Sequence, residues 1–274
     1  MKKFKVGLQL YSIRCEMEKD MEATLKAVKD MGYDYVEFAG YFDKSADEIR
    51  ALLDKYGLEA VSVHQVPSFY WEKGQEAIDF VKKLGVKYWA IPWYDAEQLK
   101  ADWDNTTKKF AELGALLKQN GIQLCYHNHD FEFKPFDGGL LIDKLYASVP
   151  ELNPQFDTCW VKYASYSPEE YLEKYSGKVG IIHLKDFVAS KFASGPVYGL
   201  IDENGNNNET DKQDAPEFMF KPLGQGVQDF KAILEAAEKA GTEYVIVEQD
   251  DWYDGDALQI AKASREYLKN AFGI

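Results

Sequence analysis

Basic charge is scarce in this 274-residue chain: 32 Lys and Arg stand against 46 Asp and Glu, a formal net charge of −14. Nucleic acid and anionic membrane surfaces both call for basic patches, so neither is expected as the main partner. The acidity itself implies no more than solubility. Cysteine is also sparse. Cys15, Cys125 and Cys159 form no CxxC pair and are odd in number, which argues against a disulfide framework. They suit free, mostly buried thiols in a reducing compartment. No apolar run approaches the ~20 residues of a membrane-spanning helix. The N-terminal MKKFKVGLQLY carries a signal peptide's charges, but its apolar stretch is short and Gln9 interrupts it. No small-residue cleavage site follows. The segment reads as a first strand and the protein as cytoplasmic. Nucleophile motifs are missing too: there is no GxSxG elbow and no P-loop lysine motif. Cys159 carries no mark of an activated thiolate.

What the chain does have is a large apolar share, 46%, with 18 Tyr and 16 Phe, enough for a sizeable core. One unit recurs: a helix-period stretch, a glycine, then a β-rich run. MEATLKAVKDMG leads to YDYVEFAG, SADEIRALLDKYG to LEAVSVH, and TTKKFAELGALLKQNG to IQLCYHNH. The glycine stands where a helix C-cap needs a left-handed residue. Leu25, Val28 and Met31 show the helical spacing. The strands are short continuous apolar runs, as in parallel sheets covered on both faces. Eight such runs begin near Lys5, Tyr35, Ala60, Tyr88, Ile122, Gln155, Gly180 and Tyr244. Eight β/α units predict one (β/α)8 barrel of the TIM type over residues 1–274. An open doubly wound sheet would show a glycine-rich turn after its first strand, and QLYSIRCEME has none.

Residues 189–226 break the rhythm. They include the polar stretch LIDENGNNNETDKQD, in which Asp202, Asn204 and Asn206 resemble the start of a calcium loop without its closing glutamate. The expected structure is a hairpin with Val197–Ile201 and Phe218–Lys221 as arms. An insertion after strand seven lies on the catalytic face of a barrel, where it offers a lid or a subunit contact. A homo-oligomer therefore stays open.

All four histidines lie at or just beyond the ends of strand-like runs. His64 ends AVSVH, His127 ends IQLCYH with His129 two residues on, and His183 ends VGIIH. Asp157 ends NPQFD and Glu248 ends EYVIVE. In a parallel barrel all these ends face one rim, so His64, His127, Asp157, His183 and Glu248 converge. Imidazole and carboxylate together suit a divalent ion such as Mn, Mg, Co or Zn. On the fifth strand His127 and His129 share a side while the strand persists. Glu132 follows as a further ligand or base. Lys185, two residues after His183, offers a charge to a substrate oxygen, and Asp186 offers it a partner or binds a second ion. Glu37, within an apolar second strand, needs a partner such as Arg14 or substrate hydroxyls. Trp71, Trp93, Trp160 and Trp252 are expected near the rim, where rings pack on sugars.

At these residues the chain resembles the sugar phosphate isomerase/epimerase superfamily, the xylose isomerase-like TIM barrels. The markers are VGLQLYSIR, YVEFAG, YHNHDFEF, FDTCWV, HLKD, PLGQGVQDF and VEQD. The resemblance covers nearly the whole chain and implies one divalent ion on ligands from strands five to eight, here His127, Asp157, His183 and Glu248. Many epimerases of the group carry a glutamate on strand five. The histidine here leaves that ligand open among His127, His129 and Glu132, and looks closer to the branch with inosose dehydratase. Repair endonucleases share the fold, but they have a histidine where this chain has Trp160 and need more histidines than four.

The expected activity is metal-dependent isomerisation or epimerisation of a sugar or sugar phosphate through an enediolate beside a carbonyl. Glu248, Lys185, Glu132 and His129 are the candidate catalytic residues. Glu37, His64, Trp93, Trp160 and Lys185 are the candidate substrate contacts. A dehydratase or lyase acting on a keto-sugar or inosose shares the same enolate step. An alternative of another class is a non-catalytic sugar-binding barrel that holds no ion.

Overall fold

A computed structural model of the protein describes residues 3–192, 218–253 and 255–274. Eight parallel strands form the frame: β1 (Lys5–Gln9), β2 (Tyr35–Ala39), β3 (Glu59–His64), β4 (Tyr88–Ile91), β5 (Gln123–His127), β6 (Asn153–Gln155), β7 (Ile181–Leu184) and β8 (Tyr244–Val247). They pair in the order β6-β5-β4-β3-β2-β1-β8-β7. The gap between β6 and β7 is bridged by a parallel contact of Asp157 with His183, where the His183 N–H donates to Phe156 O at 2.8 Å. The result is the expected TIM barrel, nearly closed, with helices between its strands.

Local chemistry explains why the units alternate. The helix Ala46–Tyr56 opens on a capping box in which Ser45 and Glu48 satisfy each other's backbone N–H groups. It buries Ile49 and Leu53, each contributing roughly 2 kcal/mol by area removed from water. It ends at Gly57, whose φ of 63° lets Leu58 N–H reach back to Leu53 O at 2.9 Å. That reversal points the chain into β3 beside β2.

The barrel interior is layered. At the N-terminal ends of the strands, Tyr35, Tyr88 and Tyr244 pack edge to face over Val61, Ala90, Cys125, Ile181 and Ile246. This apolar plug fills one end of the barrel, and His127, Asp157, His183 and Glu248 gather at the other. Phe218–Lys221 is a strand and pairs antiparallel with Asp186–Ala189, directly after β7. Val197–Ile201, the partner expected from sequence, lies outside the described residues, as do Asp202, Asn204 and Asn206. The observed pairing buries Phe187 and Phe220 against Cys159, Trp160 and Tyr163. Among the described residues no helix is long and apolar enough to cross a membrane.

Candidate metal centre

The floor of the polar rim is Glu37, fully buried on β2. Its Oε1 accepts from Gln9 Nε2 at 2.7 Å and lies 2.6 Å from His183 Nε2 and 3.1 Å from His64 Nε2. Its Oε2 accepts from Gln155 Nε2 at 2.6 Å. Burial alone would push the carboxyl pKa up, but the His64 and His183 rings outweigh it and hold the pKa well below the usual range. Arg14, the partner suggested by sequence, donates instead to Tyr11 O and Asp250 O, each at 3.0 Å, and lies over the Tyr11 and Trp252 rings. It opens the short helix Arg14–Lys19 that follows β1.

Above Glu37, His183 bridges two carboxylates. Its Nδ1 is 2.7 Å from Glu248 Oε2. Burial lowers its pKa, but Glu37 and Glu248 outweigh that and push it up to about 10. Glu248 in turn is held below the usual carboxylate range, because Lys185 and His183 overcome its burial. His127 behaves oppositely: burial and then the neighbouring His183 and His64 hold its pKa well below that of a free imidazole. It is therefore neutral, the form that binds metals. Asp157 caps the helix Thr158–Tyr163, its Oδ1 accepting from Cys159 N–H at 2.8 Å and Trp160 N–H at 3.3 Å. This fixes the carboxylate and turns Oδ2 towards His127 Nε2, 3.7 Å away, and Lys185 Nζ, 2.8 Å away.

One ligand atom from each of His127, Asp157, His183 and Glu248 lies within 4.8 Å of every other. His64, His127 and His183 meet the same criterion. His127 Nδ1 is buried with no hydrogen-bond partner among the described residues. Two imidazoles and two carboxylates, with one buried nitrogen unsatisfied, fit a divalent ion. Glu37 would then orient His183 from behind, as carboxylates do for histidine ligands.

The sequence profile described as xylose isomerase-like TIM barrel matches residues 25–271. The chain belongs to that family. Curated relatives of this xylose isomerase-like barrel include an inosose dehydratase from Clostridium perfringens, 27% identical over 70% of this chain and 67% of that one. Another, from Clostridium beijerinckii, is 23% identical over 94% of this chain and 91% of the relative. Among solved structures, a sugar phosphate isomerase/epimerase from Parabacteroides distasonis superposes with a TM-score of 0.76 at 22% identity, covering 97% of this chain and 98% of that one. An L-ribulose 3-epimerase gives 0.67 at 15%, covering 99% and 96%. These likenesses establish the shared barrel.

Within the xylose isomerase-like site, the fifth-strand candidates separate. β5 stops at His127, and Asn128 then turns the chain, its Oδ1 accepting from Asp157 N–H at 3.1 Å. The His129 ring lies beyond the strand end, stacked on Phe131 and edge-on to His127, with centroids 5.3 Å apart in each case. Glu132 uses both oxygens, accepting from Tyr126 Oη at 2.8 Å and His129 N–H at 2.7 Å. Neither belongs to the four-residue cluster. His64 packs parallel to His183 with centroids 5.0 Å apart, and its Nε2 donates to Gln155 Oε1 at 2.8 Å. Trp160 is fully buried with the Lys185 ammonium 5.4 Å from its ring centre, whereas Trp93 is 47% and Trp71 40% exposed.

Among the described residues Asp186 neither pairs with Lys185 nor joins a group of metal-ligating side chains. Its carboxylate accepts from the N–H groups of Phe187, Gly224, Gly226 and Gln228 at 2.8–3.2 Å. Three further participants escaped the sequence reading: Gln9, Gln155 and Asp250. A signal existed for each. The glutamines interrupt apolar runs, and Asp250 follows Glu248 by two, the same spacing as His183 and Lys185.

Proposed function

We propose that the protein is a divalent-metal-dependent enzyme that removes the proton beside the carbonyl of a keto-sugar or keto-cyclitol. The convergence of His127, Asp157, His183 and Glu248 on the rim carries this reading. Bound there, the ion supplies Lewis acidity that lowers the cost of ionising the substrate C–H bond. The side chains supply the rest. Glu248, ionised next to Lys185 and His183, accepts the proton. Lys185 presents a fixed positive charge to the substrate oxygen that gains negative charge. Glu37, held by both glutamines, keeps His183 in one orientation.

Two outcomes follow from the same proton removal. Return of the proton to another carbon or face gives isomerisation or epimerisation. Loss of a β-hydroxyl gives dehydration, and two observations favour it. The fifth-strand position holds neutral His127 rather than a second carboxylate able to work from the opposite face, and the two Clostridium relatives are named inosose dehydratases. Metal analysis of the purified protein, then NMR of a panel of keto-inositols and ketoses with and without chelator, tests the reading. Bound Mn, Co, Mg or Zn and chelator-sensitive loss of water from a keto-cyclitol are expected. A metal-free protein that binds sugars without converting them would establish the non-catalytic barrel instead.

A further inference from the structure

The chain has three arginines, Arg14, Arg50 and Arg265, in a sequence where 46 acidic side chains outnumber 32 basic ones. Arg50 shows how a guanidinium is used in that company: its Nε and Nη2 both turn to Asp54 Oδ1. Arg14 is placed differently. Its Nη1 donates to two backbone oxygens, Tyr11 O and Asp250 O, each at 3.0 Å, which uses both N–H bonds of that nitrogen. A guanidinium carries five N–H groups in one plane. The whole Nε and Nη2 edge therefore remains, the edge that grips two oxygens of one carboxylate or phosphate. Among the described residues nothing hydrogen-bonds to that edge and no carboxylate pairs with Arg14. The group is also held in place, with the Tyr11 ring centre 4.1 Å and the Trp252 ring centre 4.5 Å away. Arg14 is half-buried, so a permanent charge is partly withdrawn from water with no anion opposite it.

Arg14 stands beside the candidate metal centre. Asp250 holds it by the backbone oxygen, and the same residue's Oδ2 accepts from Lys185 Nζ at 2.9 Å. Lys185 Nζ in turn lies 2.9 Å from Glu248 Oε2. Burial pushes the Tyr11 hydroxyl pKa up and Arg14 opposes that, while Asp250, Glu248 and Lys185 are near enough to act on it as well. We propose that the Nε and Nη2 edge of Arg14 binds an anionic group, phosphate or carboxylate, that the substrate carries away from its reacting carbonyl. The inference rests on the reading that a keto-sugar or keto-cyclitol is bound at this rim. It makes Arg14 a specificity residue. A substrate with such a group binds more tightly, and an uncharged one still loses its proton, because no part of that step runs through Arg14.

The test uses full-length protein in chelator, so that an anion cannot report a metal contact and failure leaves metal-dependent proton removal standing. Wild type is treated with phenylglyoxal, which modifies guanidinium groups, in sodium chloride, sodium phosphate or sodium acetate of equal ionic strength. Mass spectrometry reads the labelling of each arginine. Saturating phosphate or acetate is expected to slow labelling of Arg14 by at least about tenfold, the size that hydrogen bonds to a charged group imply, and to leave Arg265 unchanged. The stronger protector tells a phosphorylated substrate from a carboxylated one. Calorimetric titrations with sodium phosphate and sodium acetate then compare wild type, Arg14→Lys and Arg14→Met, each checked for folding by circular dichroism. Arg14→Met is expected to weaken the tighter of the two at least about tenfold. Arg14→Lys should fall between, because it keeps the charge and loses the fork. A mere brace between Tyr11 and Asp250 would lower stability without moving anion affinity. If neither variant folds, the labelling of wild type decides alone. No labelling of Arg14, labelling that neither anion slows relative to Arg265, or affinity unchanged in Arg14→Met overturns the proposal.

Discussion

His183 has a carboxylate at each ring nitrogen, Glu37 at 2.6 Å and Glu248 at 2.7 Å, and this decides its chemistry. With a pKa near 10 in the metal-free protein, it carries a proton at neutral pH that an ion must displace. The sign follows from linkage. A histidine raised from about 6.5 contributes stability that is complete below that value and is lost as pH rises through about 10. Metal-free protein should therefore melt at lower temperature at pH 9.5 than at pH 7, while Mn affinity rises over the same window. Melts in chelator and titrations at both pH values check this; affinity independent of pH would contradict it. His183→Ala should abolish metal binding, and full occupancy retained in that variant would refute its ligand role. Glu37→Gln keeps the ligands but weakens the support of His183. Metal affinity should fall about 10–100-fold, the usual cost of losing an outer carboxylate.

Among the elements, the turn after Phe218–Lys221 depends on Asp186. One carboxylate gathers N–H groups from Gly224, Gly226 and Gln228, while Gln228 Nε2 donates to Lys185 O at 3.2 Å. A Cβ at Gly226 would sit 2.2 Å from Asp186 Oδ1 and 2.3 Å from Phe187 O, so only glycine fits there. Asp186→Ala leaves the buried Phe187 N–H and the partly exposed N–H groups of the turn without their acceptor and should cost about 1–3 kcal/mol. Denaturant melts measure the loss, and amide exchange should accelerate at Gly224, Gly226 and Gln228; an unchanged melt would contradict the role. This turn also marks where sequence reading gave out. β2 to β5, β7 and β8 were legible because each is a largely apolar run preceded by a helix-period stretch, and the glycine cap at Gly57 is where that pattern placed it. The pairing of Phe218–Lys221 was not, because pairing depends on which apolar face is covered, here by Trp160 and Tyr163. On the rim, spacing brought His127, Asp157, His183 and Glu248 forward. It could not separate His127 from His129 and Glu132, because that turns on Asn128 ending β5 against Asp157. The wrong partner for Glu37 has a similar origin: charge alone suggested Arg14, whereas barrel closure brings two histidines and two glutamines to it.

At the scale of the whole molecule, the barrel closes where its candidate ligands meet. Asp157 and His183 bridge β6 to β7, so an ion bound between them also ties the last seam of the sheet. Loading at about 100 times the Kd should add roughly 2.7 kcal/mol to stability. For a chain of this length that is a rise of about 5–10 °C in Tm. The apolar plug of Tyr35, Tyr88 and Tyr244 keeps the other end inert, leaving reactivity to one rim. The central claim is metal-dependent removal of a proton beside a carbonyl. Its most direct test is solvent deuterium incorporation, followed by NMR, when full-length protein is incubated in D2O with a keto-inositol, with Mn or with chelator. Deuterium entering the carbon next to the carbonyl only with metal, and lost in Glu248→Gln, is the expected result. Incorporation that ignores chelator, or none across keto-inositols and ketoses with metal bound, would contradict the account.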